Sequence, residues 1–244
     1  MENLIRVDLD DTFQFSCHPG IACFNDCCRD LNQFLTPYDI LRLKNAQRVS
    51  SQRFLEQYTE CHIGPRSGLP VVSLRMLQDE NLRCPFVGPE GCTVYDDRPG
   101  SCRTYPLGRM AARKPHGGRC EESYFLIKEP HCLGFNEPRR WTVAEWKKDQ
   151  GLSIYNEMND LIMEVLALKN RSNRARLTPS EDDLFSMAFY DLDRFRDFTF
   201  DKRLWEECPL PEDGLETIRD NDVALLQFSM EWIKAALFGE GSWS

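Results

Sequence analysis

No stretch of this chain stays apolar long enough to cross a bilayer, and the opening residues MENLIRVDLDD carry acids where a secretory leader carries bases. A soluble, cytoplasmic protein is the expectation. Basic residues are in deficit: 30 lysines and arginines stand against 39 acids, a formal net charge of -9. That balance repels nucleic acid and anionic lipid unless a local basic surface overrides it, so neither is expected as a partner. There is no phosphate-binding glycine loop, no nucleophile set beside a base, no internal repeat and no low-complexity tract. The sequence therefore offers no motif-level sign of a reaction.

What the chain has in quantity is cysteine, eleven of them, and all but Cys208 precede the last hundred residues. A chain of 244 residues can bury a sizeable core, so disulfides are not needed to hold a minimal fold together. In a reducing compartment thiols persist unless something uses them, and the odd total and the adjacent pair Cys27 and Cys28 fit a disulfide framework poorly. Metal ligation is the leading use.

The first cluster, FSCHPGIACFNDCCRD, places Cys17, Cys23, Cys27 and Cys28 within twelve positions, and short loops lower the entropic cost of closing a chelate. Cys23 and Cys27 are four apart, so one helical turn sets both sulfurs on one face, while Cys28 points about 100° away. Two adjacent cysteines therefore serve one mononuclear site with difficulty. Either Cys27 and Cys28 feed two neighbouring centres, or one ligates while the other packs or bridges. The second cluster, CPFVGPEGCTVYDDRPGSCRTYP, sets Cys84 and Cys92 at the ends of a hairpin turn and Cys102 after the turn at Pro99. Cys120 and Cys132 follow in GGRC and EPHCLGF.

These nine cysteines are the candidate metal ligands, enough for two four-sulfur sites. Zinc asks for a closed tetrahedral shell of Cys or of Cys with His, and iron–sulfur clusters also accept four thiolates, so ligand type leaves zinc and iron–sulfur both open. His18 and His131 each flank a cysteine, with surface or packing roles the simpler reading. Cys61 and Cys208 read as packing or incidental thiols. Arg98 and Arg103 flank Cys102, where their guanidinium groups can stabilise thiolates or hold Asp96 and Asp97; a supporting structural role is favoured over substrate binding. Tyr95 and Tyr105 read as aromatic packing near the same cysteines.

The remaining pattern predicts an α+β fold: an irregular cysteine-rich module with short strands over residues 1–138, followed by a mainly helical extension over 139–244. Thr36, Pro37 and Asp39 start a helix in LTPYDILRLKNAQ, and SSQRFLEQY supplies another. LPVVSLRML and YFLIKEP read as strands and CPFVGPEGCTVY as a hairpin. Thr142 with Glu145 caps a helix that Gly151 ends. Tyr155, Met158, Leu161, Ile162, Val165 and Leu166 recur at helical spacing, as do Leu215, Ile218, Leu226, Met230, Ile233 and Leu237. LTPSEDDLFSMAFYDLDRFRDF reads as one helix begun by Ser180 and acids, and PLPEDG near Pro209 as a turn. Lys169, Arg171, Arg174 and Arg176 read as a solvated basic loop complementing a helix end.

Taken in order, the compact cluster Cys17, Cys23, Cys27 and Cys28, then Cys-Pro-Phe at Cys84, Cys-x-Val-Tyr at Cys92 and Arg-Pro-x-x-Cys-Arg at Arg98 to Arg103, resemble the zinc- or iron-chelating cysteine-cluster family called CxxCxxCC or YkgJ-like. The spacing departs from that name, with five residues between Cys17 and Cys23 and three between Cys23 and Cys27. The resemblance covers about half of the chain and implies zinc or iron–sulfur binding more firmly than any reaction. One branch of the family is associated with methylation of flagellin lysines, which makes methyl transfer an activity by analogy. A redox enzyme, metal delivery, and a protein-interaction module with structural zinc are the other readings; metal ions are the expected partners, with a protein partner for the last.

Overall fold

In this computed structural model, residues 4–112, 121–172, 174–208 and 210–239 are described. In chain order they form β1 (Leu4–Val7), β2 (Thr12–Gln14), β3 (Phe34–Leu35), α1 (Pro37–Gln47), α2 (Ser51–Tyr58), β4 (Thr59–Ile63), β5 (Pro70–Leu74), β6 (Val87–Gly88) and β7 (Gly91–Cys92). There follow α3 (Gly100–Thr104), β8 (Leu107–Ala112), β9 (Glu121–Ile127), β10 (Arg140–Thr142), α4 (Val143–Asp149) and α5 (Leu152–Arg171). The chain ends with α6 (Pro179–Tyr190), α7 (Leu192–Lys202), α8 (Gly214–Asp220) and α9 (Asp222–Phe238). The fold class is α+β, with short strands early and helices late.

Two compact units are built from interleaved pieces, Met1–Gln33 with Leu74–Glu157 and Phe34–Ser73 with Met158–Ser244. Residues 34–73, placed by cysteine content in a module ending at residue 138, thus fall with the helical unit. The reason is packing: α1 meets α6 and α9, and α2 meets α7. Cysteine spacing carries no record of those apolar faces.

The first unit holds the antiparallel sheet β1-β9-β8, with Leu4 opposite Ile127 and Leu107 opposite Leu126. A second pair, β2 with β10, sets Phe13 opposite Trp141. Phe13, Phe15, Leu107, Tyr124, Leu126, Trp141, Val143 and Trp146 form its core. Edge-to-face ring contacts knit it, with Phe15 and Trp146 centroids 5.6 Å apart and Trp141 and Trp146 5.2 Å apart. Both indole N–H groups are satisfied, Trp141 donating to the Phe15 carbonyl at 3.0 Å and Trp146 to the Thr104 carbonyl at 3.1 Å. The rings thereby fix the chain on either side of the first and second cysteine clusters.

The expected hairpin forms as β6 and β7, with Val87 opposite Cys92 and Gly91 at a φ of 115° in the turn. Thr142 and Glu145 exchange the two hydrogen bonds of a capping box at α4, and Gly151 follows the helix at a φ of 62°.

The second unit contains the three-stranded sheet β3-β5-β4 and helices that bury Ile40, Leu43, Phe54, Phe189, Phe195, Leu225 and Ile233. Thr36 and Asp39 cap α1 reciprocally, as their spacing predicts. Two expectations change here. The helix expected to begin at Ser180 is capped by Thr178, whose hydroxyl accepts from Glu181 N while the Glu181 carboxylate accepts from Thr178 N. It also divides at Asp191, whose carboxylate accepts from Ser51 Oγ at 2.5 Å while Asp193 accepts from Ser51 N at 2.7 Å and Lys44 Nζ at 3.0 Å. These long-range bonds turn acids that look like a helical face into anchors for α1 and α2. The stripe from Leu215 to Leu237 likewise divides at Asn221, whose Oδ1 caps α9 by accepting from Val223 N and Ala224 N. Pro209 lies outside the described residues; the turn expected there closes with Gly214 N on the Pro211 carbonyl at 2.7 Å. The basic loop is engaged locally, Lys169 donating to the Ala175 carbonyl and Arg174 pairing with Glu181.

Candidate metal centre

Phe15 sits in the aromatic core, and the two residues after it carry the chain out to Cys17. Ser16 N donates to the Gly134 carbonyl at 3.1 Å, so the Cys17 strand runs against the Cys132 to Gly134 segment. A Cβ on Gly134 would stand 2.7 Å from the Phe15 ring and 2.8 Å from Ser16 O, so only glycine allows that approach. Leu133 N then donates to Cys23 Sγ at 3.2 Å. The segment of Cys132 is thus drawn to that of Cys17 and Cys23, more than about a hundred positions earlier, by a glycine contact and a backbone donor.

The second gathering starts from a short backbone pairing. Asp30 N donates to Leu82 O at 2.9 Å, Arg29 bridges Arg83, and Cys84 N donates to Cys28 O at 2.8 Å, which sets Cys28 and Cys84 side by side. Val87 N returns to Cys84 O at 3.1 Å, and the hairpin brings Cys92 back toward it. Cys102, in α3, donates from Sγ to Gln33 Oε1 at 3.7 Å.

Asp26–Cys28 forms a single 3-10 turn entered through Asn25 at a φ of 69°. At about 120° per residue such a turn would point consecutive side chains apart, yet the Cys28 thiol hydrogen-bonds to Cys27, so the two sulfurs meet instead of diverging.

Neighbouring sulfurs act on one another's protonation. Burial, then Cys27, Cys23 and Cys132, push the Cys17 thiol up to about 11. Burial raises Cys132 as well, with Cys23 and Cys27 adding to it and Tyr105 opposing. The Cys28 thiol donates to Cys27, which holds Cys27 down to about 7 and raises Cys28; Cys84 and Cys102 raise Cys28 further. Burial raises Cys84 and Cys92, Cys84 also feeling Cys92 and, more weakly, Cys27. Cys23 and Cys27 thus act on Cys17 and Cys132, Cys84 and Cys102 act on Cys28, and Cys92 acts on Cys84, while Cys27 acts on Cys28 and Cys84 as well.

Cys17, Cys23, Cys27, Cys28, Cys84, Cys92 and Cys132 are in the thiol form, outside any disulfide. Among the described residues no group of three or more His, Cys, Asp or Glu side chains is closed tightly enough to hold an ion as it stands. The donor chemistry nonetheless fits a soft cation, since thiols from separate segments act on one another, and binding one requires their protons to leave. Cys120 lies outside the described residues. Cys61 in β4 is exposed and Cys208 is buried at 1% exposure, and no other cysteine acts on either.

His18 spends both ring nitrogens, Nδ1 accepting from Gly20 N at 3.1 Å and Nε2 facing Glu137 at 3.2 Å. His131 pairs with Glu129 at 3.6 Å. The guanidinium groups of Arg98 and Arg103 bypass the Asp96 and Asp97 carboxylates: Arg103 donates to the backbone carbonyls of Asp96, Arg98 and Gln150, and Arg98 to Tyr95 O and Gln150 Oε1. Gln33, Glu129, Gly134 and Gln150 were without a signal in the sequence, because each matters through a contact with a distant segment. Tyr105 was placed among packing aromatics, and its ring does pack on Phe15 at 5.8 Å. Its hydroxyl, however, is buried without a well-formed hydrogen bond, and Cys132 and Glu129 are neighbours that act on it. A cleft of about 590 Å³ opens on Cys27, lined also by Asp26, Arg29, Glu80, Glu129 and His131.

The first unit brings cysteines from dispersed segments together around a 3-10 turn. Residues 16–133, just under half of the chain, match the model of the CxxCxxCC family, described as a "Putative zinc- or iron-chelating domain". No curated protein and no solved structure matches the chain. Among the described residues no helix is long and apolar enough to cross a membrane.

Proposed function

We propose that the protein carries two neighbouring cysteine-ligated centres of zinc or iron–sulfur type, one drawing on Cys17, Cys23, Cys27 and Cys132 and the other on Cys28, Cys84, Cys92 and Cys102. The observation that supports this reading is a pair of long-range backbone contacts: Leu133 N donates to Cys23 Sγ at 3.2 Å beside Cys132, and Cys84 N donates to Cys28 O at 2.8 Å, with the hydrogen-bonded Cys27 and Cys28 standing where the two gatherings adjoin. Cys120 is a reserve ligand for either set. When bound, the metal supplies Lewis-acid or electron-transfer chemistry together with folding energy. The chain's own residues gather thiols, exclude water with the Phe15 and Trp146 rings, and release protons as sulfur–metal bonds form.

Metal and acid-labile sulfide counting on Cys27→Ser and Cys28→Ser variants tests the division. Each variant is expected to lose one centre and keep the other. Identical complete losses would overturn separate roles. Sulfide with visible charge-transfer absorption distinguishes iron–sulfur from colourless stoichiometric zinc.

The cleft beside Cys27 favours a first centre that is open to a reactant or an exchanging ion over two sealed structural sites. Exchange of isotopically labelled zinc tests this: fast turnover of one equivalent and slow turnover of the other is the expected result, and two slow equivalents would contradict it.

A further inference from the structure

The Phe34–Ser73 and Met158–Ser244 unit carries a groove of about 750 Å³, lined from α5, the 210–214 turn, α8 and α9. Its floor is apolar: Leu161, Leu210 and Ala224 stand half-buried beside buried Ile218 and Phe228. Leu161 belongs to the α5 stripe whose helical spacing reads as core, yet the helices leave it partly open. The walls are held in place without an occupant. Gly214 N donates to Pro211 O at 2.7 Å, and a Cβ on Gly214 would stand 2.7 Å from Leu210 Cβ, so only glycine lets the turn close onto α8. Thr217 Oγ1 donates to Asp213 O at 2.8 Å, and Arg196 Nη1 donates to Ile218 O at 3.0 Å. A groove already in shape loses little entropy on being filled.

The charge around the groove has one sign. Among the described residues its charged lining is Glu212, Asp213 and Glu231, with no lysine or arginine. Glu231 pairs with Lys234 at 2.5 Å, whereas among the described residues no base pairs with the exposed Glu212 and Asp213. Such a rim repels anionic lipid, and a second copy of a chain with net charge -9 is repelled likewise. A small polar ligand would leave the apolar floor uncovered. We propose that this groove docks a basic amphipathic segment of a partner protein. An apolar side chain of that segment lies on the floor at Phe228, and its lysines or arginines face Glu212 and Asp213. The groove draws on none of the cysteines assigned to metal, so the inference goes beyond the proposed centres and does not depend on them.

The full chain as isolated, labelled at its isoleucine and leucine methyl groups, is titrated with a panel of synthetic helical peptides. Each carries leucine, phenylalanine or methionine on one face and lysine on the other, and each has a counterpart with glutamate for lysine. At least one lysine peptide is expected to saturate, with methyl shifts centred on Leu161, Leu210 and Ile218, and its glutamate counterpart to bind at least about tenfold more weakly. Ala224→Trp, which fills the groove, is expected to weaken the lysine peptide at least about tenfold. Should that variant not fold, Gln227→Trp at an exposed lining position carries the same expectation. Glu212→Lys combined with Asp213→Lys should flatten the salt dependence of binding. Absence of shifts at those methyls with every peptide, equal binding of the glutamate counterpart, or parent-like binding by the tryptophan variants overturns the proposal. A dimer in sedimentation that Ala224→Trp dissolves would give the groove to a second copy, and vesicle flotation with phosphatidylserine lost in that variant would give it to lipid; either overturns it. Peptide binding at the groove in a chain that loads no metal would uphold this inference and remove only the metal-centre reading.

Discussion

Adjacent residues with opposite protonation tendencies are informative because their backbone positions are so nearly the same. Cys27 and Cys28 differ through one hydrogen bond: the Cys28 thiol donates, which keeps Cys27 near 7 and raises Cys28. In metal-free protein the rate of Cys27 alkylation should therefore rise with pH through a midpoint of about 7, while Cys17, pushed up to about 11, reacts only in far more alkaline solution. Cys28→Ala removes the donor, and the Cys27 midpoint should move up toward the ordinary thiol value of 9.0. Peptide-resolved mass spectrometry after timed alkylation reads this, and an unchanged midpoint would contradict the assignment of donor and acceptor. At this scale the sequence was legible where chemistry and spacing coincide. The short spacing of Cys17, Cys23, Cys27 and Cys28 already foretells sulfurs that act on one another, whereas the divergence expected of Cys27 and Cys28 gives way to a hydrogen bond between them. Gly134, Gln33 and the buried Tyr105 hydroxyl were not legible, because each acts on a cysteine through a contact that exists only once distant segments meet.

Secondary elements were readable where their signals are local. The capping residues of α1 and α4, the hairpin turn at Gly91 and the β9 strand all follow from residues a few positions apart. The breaks at Asp191 and Asn221 follow from side-chain bonds that end one helix and start another, and Asp191 bonds to a serine 140 residues away. Thr178 rather than Ser180 begins α6 because Glu181 sits three positions after it, completing a reciprocal cap. Thr178→Ala is expected to cost about 1 kcal/mol of stability, measured by denaturant unfolding. The Glu181 carboxyl is held down to about 2, chiefly by the Arg174 hydrogen bond and then by Thr178, against an ordinary 4.5. A depressed acid stabilises the fold fully above its unfolded value, and that contribution fades as pH falls from about 4.5 through about 2. Glu181→Gln should therefore flatten the acid limb of the melting-temperature profile across that window, and parallel limbs in parent and variant would contradict it.

The whole chain divides its stabilisation between two kinds of interaction. The Phe34–Ser73 and Met158–Ser244 unit buries Phe54, Phe189, Phe195 and Ile233 among packed helices and has apolar contacts sufficient for an ordinary core. The other unit has its aromatic core around Phe15 and Trp146, while the segments bearing the cysteines are held by short turns and isolated backbone bonds. In the proposed two-centre reading, metal ligation supplies further order to those segments. The most direct measurement of the central claim is metal and sulfide content of the full chain purified without oxygen or chelator, read together with amide exchange before and after chelation. The account predicts stoichiometric zinc or iron, two centres per chain, and exchange that accelerates on chelation across residues 17–33 and 84–105 but not in α6 and α9. A protein that is isolated free of metal, and whose cysteine segments are as protected as its helices with or without chelator, would contradict it.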